Sequence, residues 1–373
     1  MNENITSILG LISQDNYEKA IEEIDRIIGS LQLPDKAFLY GLKAMSLEFQ
    51  KKSEEALTNV DLALEIDNRN PHLWHTKGTI LFSLKRFEES LGAFNAAIEI
   101  NPNDAKLYFN RGIVLNNLAI DKDAAYSYLK SIELEPHFVE AYENLGVTYG
   151  KLKEYKEALK QFELGLAIQP NRISLLNNKA LILNQLGNFL EAIQVSDLSL
   201  SLEKNNFQAW KNKAYALGRL DKYQEAISTI DEALKINKND SEGWENKGIL
   251  LFKLGKYKES IEAYDNAIEN DPNNPRVYSN KGASLFTIGH KIEALEAFQK
   301  ALSIDPNDAG SLYNLGLDLK EKRNFKEAIS MFEQVSSHEY FTPLINNAMG
   351  NIYYELGNYK MALEYVDKNI SVN

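Results

Sequence analysis

Seven asparagines recur at one spacing: Asn110, Asn144, Asn178, Asn212, Asn246, Asn280 and Asn314 each lie 34 residues after the last. A carboxamide carries one acceptor and two donors, so it can pair with a peptide group through both its C=O and its N–H. A row of such groups reads main chain without demanding a side-chain sequence. Asn is a mediocre helix former, so its retention needs a cause. Duplication alone is a poor one, because the preceding residue has scattered to Phe109, Glu143, Asn177, Lys211, Glu245, Ser279 and Tyr313. A structural role stays open, in which each Asn bonds a neighbouring unit or holds water.

Other chemistry is sparse. The chain has no cysteine, which removes disulfides, thiolate nucleophiles and cysteine metal sites. His72 and His75 share a helical face but have no third ligand in reach, so no metal site is expected. There is no Walker loop, dinucleotide fingerprint or HExxH motif, and no catalytic residue or cofactor is expected. The net charge of −12 disfavours nucleic acid and anionic membrane as partners. No apolar run approaches the roughly 20 residues of a membrane span. The N-terminal residues MNENITSILGLISQDNYEK lack the features of a signal peptide, so a cytoplasmic location is the expectation.

The elements that position the asparagines follow from an internal repeat. With residue 71 as position 1 of a 34-residue unit, Trp74 is position 4, Gly78 position 8, Ser90 position 20, Phe94 position 24, Ala97 position 27 and Pro102 position 32. The frame restarts at 105, 139, 173, 207, 241, 275, 309 and 343, and backwards at 37; a less regular unit fills 1–36. That gives eleven units and a single domain over 1–373. Within each unit apolar residues recur three and four apart, twice, which predicts two helices. Gly187, Gly255, Gly289 and Gly357 fall at position 15, where a left-handed residue ends the first helix. Pro102, Pro136, Pro170, Pro272 and Pro306 at position 32 stop the second helix. Asp104 and Asn274 are predicted N-caps. Small residues at positions 8 and 20 let the helices approach. Large ones at positions 4 and 24 fill the space between units, because one helix pair cannot bury its apolar face alone.

These residues resemble the tetratricopeptide repeat family over essentially the whole chain. The resemblance implies an all-α, right-handed alpha-alpha superhelix, with first helices lining a concave face at positions 2, 5, 6, 9, 12 and 13. The asparagines fall at position 6 and are similar to the asparagine ladder of some long tetratricopeptide superhelices, which grips an extended segment by its backbone. The geometry agrees: packed helices lie about 8–10 Å apart, and an extended peptide advances about 3.3 Å per residue. One Asn would therefore meet about every third peptide residue. The candidate peptide-binding set adds Tyr215 at position 9, Lys211 at position 5, Phe252 and Phe286 at position 12, and Arg276 at position 2. The position-5 residues are expected to choose ligand side chains. Inward charges balance, seven acidic against seven basic, so the net charge sits elsewhere. Lys77, Lys179, Lys213, Lys247 and Lys281 at position 7 are expected to lay apolar stems along the unit interface with their ammonium groups in solvent.

The expected function is a protein–protein interaction scaffold binding an extended peptide or protein segment. Two alternatives stand beside it. The family's usual final polar helix is missing after the last unit, so the chain is expected either to self-associate through that end or to be the adaptor part of a larger protein. The other is the family's carboxylate clamp, which holds a chaperone's acidic C-terminus. It needs Lys at position 5 and Asn at 9, then Asn at 6, then Lys at 2 and Arg at 6. The Lys211 unit has Tyr215 at position 9, the Arg276 unit has Asn280 at position 6, and no window fits.

Overall fold

A computed structural model describes residues 2–29, 32–335, 338 and 340–370. Among them are twenty-two helices and no strand. The 34-residue frame fixes their ends: Pro71–Ser83 occupies positions 1 to 13 and Phe87–Ile100 positions 17 to 30, and Ala105–Asn117 with Asp121–Leu134 repeats the pattern. Capping explains the starts. Asp104 and Asn274 accept from the amides of Lys106 and Arg276 as expected, and Asn70, Asn206, Asp240 and Asp308 cap in the same way.

The turn between paired helices depends on backbone shape more than on glycine. Position 15 is left-handed in all eleven units: four are the predicted glycines, and seven are Asp15, Lys51, Lys85, Ala119, Lys153, Asp221 and Arg323 with φ of 57 to 61°. The amide of position 16 then reaches back to the carbonyl of position 11, as from Arg86 to Leu81 at 2.9 Å, and closes the helix end. This closure holds a side-chain-bearing residue where glycine would be less strained.

The chain divides into two compact units, residues 1–186 and 187–373. Within 1–186 second helices pack on the first helix of the following repeat, as Phe87–Ile100 does on Ala105–Asn117. Within 187–373 the same holds for Tyr257–Asn270 and Pro275–Thr287. In both, the core lies between paired helices. An alanine or serine at position 20 is essentially inaccessible in every repeat from Ala20 to Ala328.

Positions 8 and 24 make a lock inside single repeats, whereas the sequence pattern suggested that position 24 fills space between repeats. A Cβ added at Gly78, Gly112, Gly146, Gly248, Gly282 or Gly316 would lie under 3.0 Å from the ring of Phe94, Tyr128, Phe162, Tyr264, Phe298 or Phe332 respectively. Each ring is at most 2 % exposed. Where position 8 is alanine the ring is gone: Ala44 faces a repeat with Val60, and Ala214 one with Ile230. The large residue at position 4 is tied to the preceding junction. The indoles of Trp74, Trp210 and Trp244 donate to the carbonyls of Asn68, Lys204 and Lys238, and the Tyr142 hydroxyl donates to Pro136.

The position-7 lysines correct the expectation of solvated ammonium groups. Lys77, Lys179, Lys213 and Lys247 pair with Asp61, Glu163, Asp197 and Asp231 at 2.8, 3.1, 2.6 and 2.7 Å, and Lys281 pairs with Asp265. Every partner stands at position 25 of the preceding repeat. The stems do cross the interface, and Lys77, Lys213 and Lys247 lie over the rings of Trp74, Trp210 and Trp244. The ends then find a carboxylate because the facing helix carries one sixteen residues earlier. Half-exposed pairs of this kind contribute at most about 1 kcal/mol each.

Candidate functional site

Position 6 falls on the open side of the first helices, and its seven asparagines divide by what their amides do. In 1–186, Asn110 Nδ2 lies 2.8 Å from His75 Nε2 in the preceding repeat. The His75 ring, buried against Phe94, is held below the usual imidazole range chiefly by desolvation, against the pull of Asp104. Neutral His75 therefore accepts from Asn110. Asn144 donates to the Glu140 carbonyl of its own helix at 2.9 Å. Asn178 makes no side-chain hydrogen bond among the described residues and lines a cavity. In 187–373, Asn212 is buried and engaged. Asn314 turns back to the Gly310 carbonyl at 2.8 Å. Asn246 and Asn280, half-buried, keep their amides unpartnered among the described residues. Sequence repetition thus marked one column, and the structure separates engaged amides from open ones.

Position 9 walls the same side. Val147, Leu181 and Tyr215 are exposed, and Ile113, Ile249, Ala283 and Leu317 are half-buried. Phe252 packs edge-on against Tyr257 of its own repeat, with ring centroids 5.2 Å apart. Lys291 sits over the Phe286 ring. Both rings are half-buried, so they present edges rather than free faces.

The position-5 residues stand elsewhere than a ligand-selecting surface requires. Glu245 is 1 % exposed and holds Arg276 by two bonds, Nη2 to Oε2 at 2.9 Å among them, while Asn274 donates to the same carboxylate. That carboxylate raises the Arg276 guanidinium above its ordinary range. Lys211 bridges Asp240 and Glu242 at 3.2 and 2.5 Å. Glu143 binds Arg172 at 2.8 Å, and Arg172 in turn lowers the Glu140 carboxyl by hydrogen bonding. Phe109 meets Phe138, and Tyr313 meets Phe341. Each contact joins position 5 to position 33, 34 or 2 at the next junction. Five of the seven scattered letters are thus paired across junctions, and Lys211 and Arg276 are committed to those pairs.

Two cavities share one register. In 187–373, a cavity of about 330 Å³ is floored by Ala214, Ile230 and Leu250, with Tyr215, Arg219, Asn246 and Lys253 at its sides. In 1–186, one of about 380 Å³ is lined by Val147, Leu181, Ile182, Asn178 and Lys151. Both open where position 12 is glycine, Gly218 and Gly150, at the place that Phe82, Phe252 and Phe286 fill in other repeats. The signal was in the sequence: position 12 is glycine in these two repeats and a larger residue in every other.

Among the described residues no helix is long and apolar enough to cross a membrane, and no group of three or more His, Asp or Glu side chains could hold a metal ion. On the last second helix, Tyr359–Ile370, the side chains of Tyr359, Leu363 and Val366 are exposed.

Family models described as tetratricopeptide repeat match residues 127–160, 173–206, 207–240, 275–308 and 313–368, and one described as TPR repeat matches 78–118 and 248–289. No curated protein matches. Among solved structures, a tetratricopeptide repeat protein from Parabacteroides merdae ATCC 43184 is 19 % identical, with 69 % of this chain and 98 % of that one covered at a TM-score of 0.56. PilF of Pseudomonas aeruginosa is 18 % identical over 56 % of this chain and 94 % of its own, with a TM-score of 0.49. MamA of Desulfovibrio magneticus RS-1 is 20 % identical over 46 % and 96 %, with a TM-score of 0.42. At such identity the Parabacteroides likeness speaks for the fold alone. Repeats of this kind generally mediate protein–protein interaction and are typically non-enzymatic. With the 34-residue frame, the glycine–ring lock and the matches agreeing across most of its length, the chain belongs to the tetratricopeptide repeat family.

Proposed function

We propose that the first-helix faces of each unit bind an extended protein segment by its backbone, through Asn178 in 1–186 and through Asn246 and Asn280 in 187–373. The observation that carries the reading is that these three amides, alone in their column, neither bond another side chain or backbone group among the described residues nor sit buried. Each offers a donor and an acceptor beside an apolar position-9 wall. Asn246 and Asn280 stand on adjacent first helices, roughly 10 Å apart by helix packing, which an extended segment covers in about three residues. Asn110, Asn144 and Asn314 join only by giving up the bonds described above, so they contribute less.

A random peptide library displayed on phage and selected on the intact chain supplies the ligands. Their dissociation constants are then measured by fluorescence anisotropy against the wild type and the N178A/N246A/N280A variant. Three lost amide contacts should weaken binding by about tenfold or more. Equal affinity for the two proteins, with unchanged circular dichroism, overturns the backbone grip.

A further inference from the structure

The two glycine-opened cavities carry a more specific statement about the ligand, one that rests on the peptide-binding reading above. The larger surroundings are acidic, with a net charge of −12, yet among the charged side chains that line these openings without an ion pair the cations Arg219, Lys253 and Lys151 outnumber the one acid, Asp221. Arg219 has no carboxylate partner among the described residues. Its Nη1 donates to the Tyr215 hydroxyl at 2.8 Å, and its guanidinium lies 4.9 Å from the Phe189 ring centroid and 5.8 Å from that of Tyr215. That support fixes its plane without neutralising it. Lys253 is exposed and likewise has no acidic partner among the described residues. Of the acids near this opening, Asp240 and Glu242 are held by Lys211, and Asp221, which accepts from the Tyr223 hydroxyl, keeps its charge, so Arg219 and Lys253 leave an excess of one positive charge.

The cavity in 1–186 repeats the arrangement independently. Gly150 opens it, Leu181 and Ile182 wall it, the open amide of Asn178 lines it, and Lys151 stands beside it with no acidic partner among the described residues. Each cavity therefore combines an apolar recess, a main-chain-reading amide and an uncompensated cation. The recess is large enough for a leucine or phenylalanine side chain. An unpaired guanidinium or ammonium at the rim favours a carboxylate nearby, and more strongly where the surroundings are partly dry.

We propose that each cavity takes a bulky apolar side chain from an extended peptide, and that the rim cations, Arg219 and Lys253 in one and Lys151 in the other, select an acidic residue next to it.

The test uses three capped, fluorescein-labelled heptapeptides of otherwise glycine and serine. One has a central leucine flanked by two aspartates, the second has lysines in place of the aspartates, and the third has alanine in place of the leucine. The first should bind the full chain at least about tenfold more tightly than either of the others. The charge-reversed variant K151E/R219E/K253E changes exposed or well-solvated side chains and should invert the preference, taking the lysine peptide over the aspartate one. Ile249→Trp, which fills the 187–373 recess from its half-exposed wall, should halve the number of peptides bound per chain.

Equal binding of the aspartate and lysine peptides, no binding of either, or an unaltered preference in the charge-reversed variant overturns the proposal. The two readings fail separately. Loss of all peptides in N178A/N246A/N280A with no effect of charge reversal leaves the backbone grip and removes the acidic selection. Inverted preference with undiminished binding in the asparagine variant does the opposite.

Discussion

Positions 5 and 6 are chain neighbours on every first helix, about 100° apart around its axis. From the repeat at 105 to the repeat at 309 position 6 is always asparagine and position 5 is never the same residue in adjoining repeats. Read as a ligand surface, the fixed column would grip and the varied column would choose. Their surroundings say otherwise for the varied one. Position 5 is wedged at the junction with the next repeat, where five of these seven letters answer another, among them Glu245 to Arg276, Lys211 to Glu242 and Phe109 to Phe138. Variation here records the partner across the junction. Asn178, Asn246 and Asn280, by contrast, stand in the sequence without a partner among the described residues. A column that varies in matched pairs is tied to the fold, whereas the constant column keeps its residue type whether its amide bonds within the protein, as at Asn110, Asn144 and Asn314, or not.

The largest effect should come from breaking a position-5 pair. Glu245→Ala leaves the Arg276 guanidinium and the Asn274 amide without their acceptor. Removing one partner of a buried pair costs about 3–5 kcal/mol. Arg276 remains two-thirds exposed and can turn to water, which reduces the expected loss to about 2 kcal/mol. Because repeat arrays open locally, the readout is amide hydrogen exchange in Ser241–Lys253 and Pro275–Thr287, expected to accelerate about 30-fold. The double variant E245A/R276A should recover part of that protection. Exchange at the wild-type rate would show that position 5 does not clasp the junction and would return Glu245 to the ligand surface.

How much of this was legible can be judged from particular residues. The helix ends were, because Pro102, Gly187 and Asp104 act on their own turns and need no tertiary knowledge. The glycine–ring lock was half legible: Gly78 and Phe94 were visible, but only packing shows that the ring of a repeat enters its own notch. The Lys77–Asp61 and Lys213–Asp197 pairs left a signal, an acid sixteen residues before each lysine, that helical periodicity within one helix does not reveal. The Glu245–Arg276 pair left none that one repeat could show, since its partner falls at position 2 of the next repeat while that of Glu143 falls at position 34. The open cavities at Gly150 and Gly218 left one trace in the sequence, a glycine at position 12, but their rims needed the neighbouring helix.

One repeat lets the two columns meet, and it gives the comparison a pH dependence. His75 is a position-5 residue whose partner is Asn110 at position 6. Its imidazole titrates below the usual value because burial disfavours the charged form. The unfolded chain therefore binds the proton first as pH falls through the ordinary range near 6.5. Stability from this site is complete above that pH and is lost progressively below it. Amide exchange in Pro71–Ser83 and Ala105–Asn117 should accelerate on going from pH 7.5 to 5.5, after correction for intrinsic rates, and less so in His75→Gln. Identical acceleration in the two proteins would mean that His75 is as easily protonated folded as unfolded.

The smallest effect is the sharpest test of the fixed column. Asn246→Ala with Asn280→Ala removes two amides that bond nothing among the described residues. Alanine is the better helix former by up to about 0.7 kcal/mol at each site, so the variant should be as stable as the wild type or slightly more so. Asn110→Ala differs, because it strips His75 of a hydrogen bond in a partly buried setting and should cost about 1 kcal/mol. Hydrogen exchange across the flanking helices orders the two variants without any ligand. If Asn246→Ala with Asn280→Ala loses more than Asn110→Ala, the open amides are structural after all, and position 6 is constant for the same reason that position 5 varies. If the order is as expected, a residue poorer than alanine for the helix and idle in the fold is retained at both positions, and the cause must lie outside the chain.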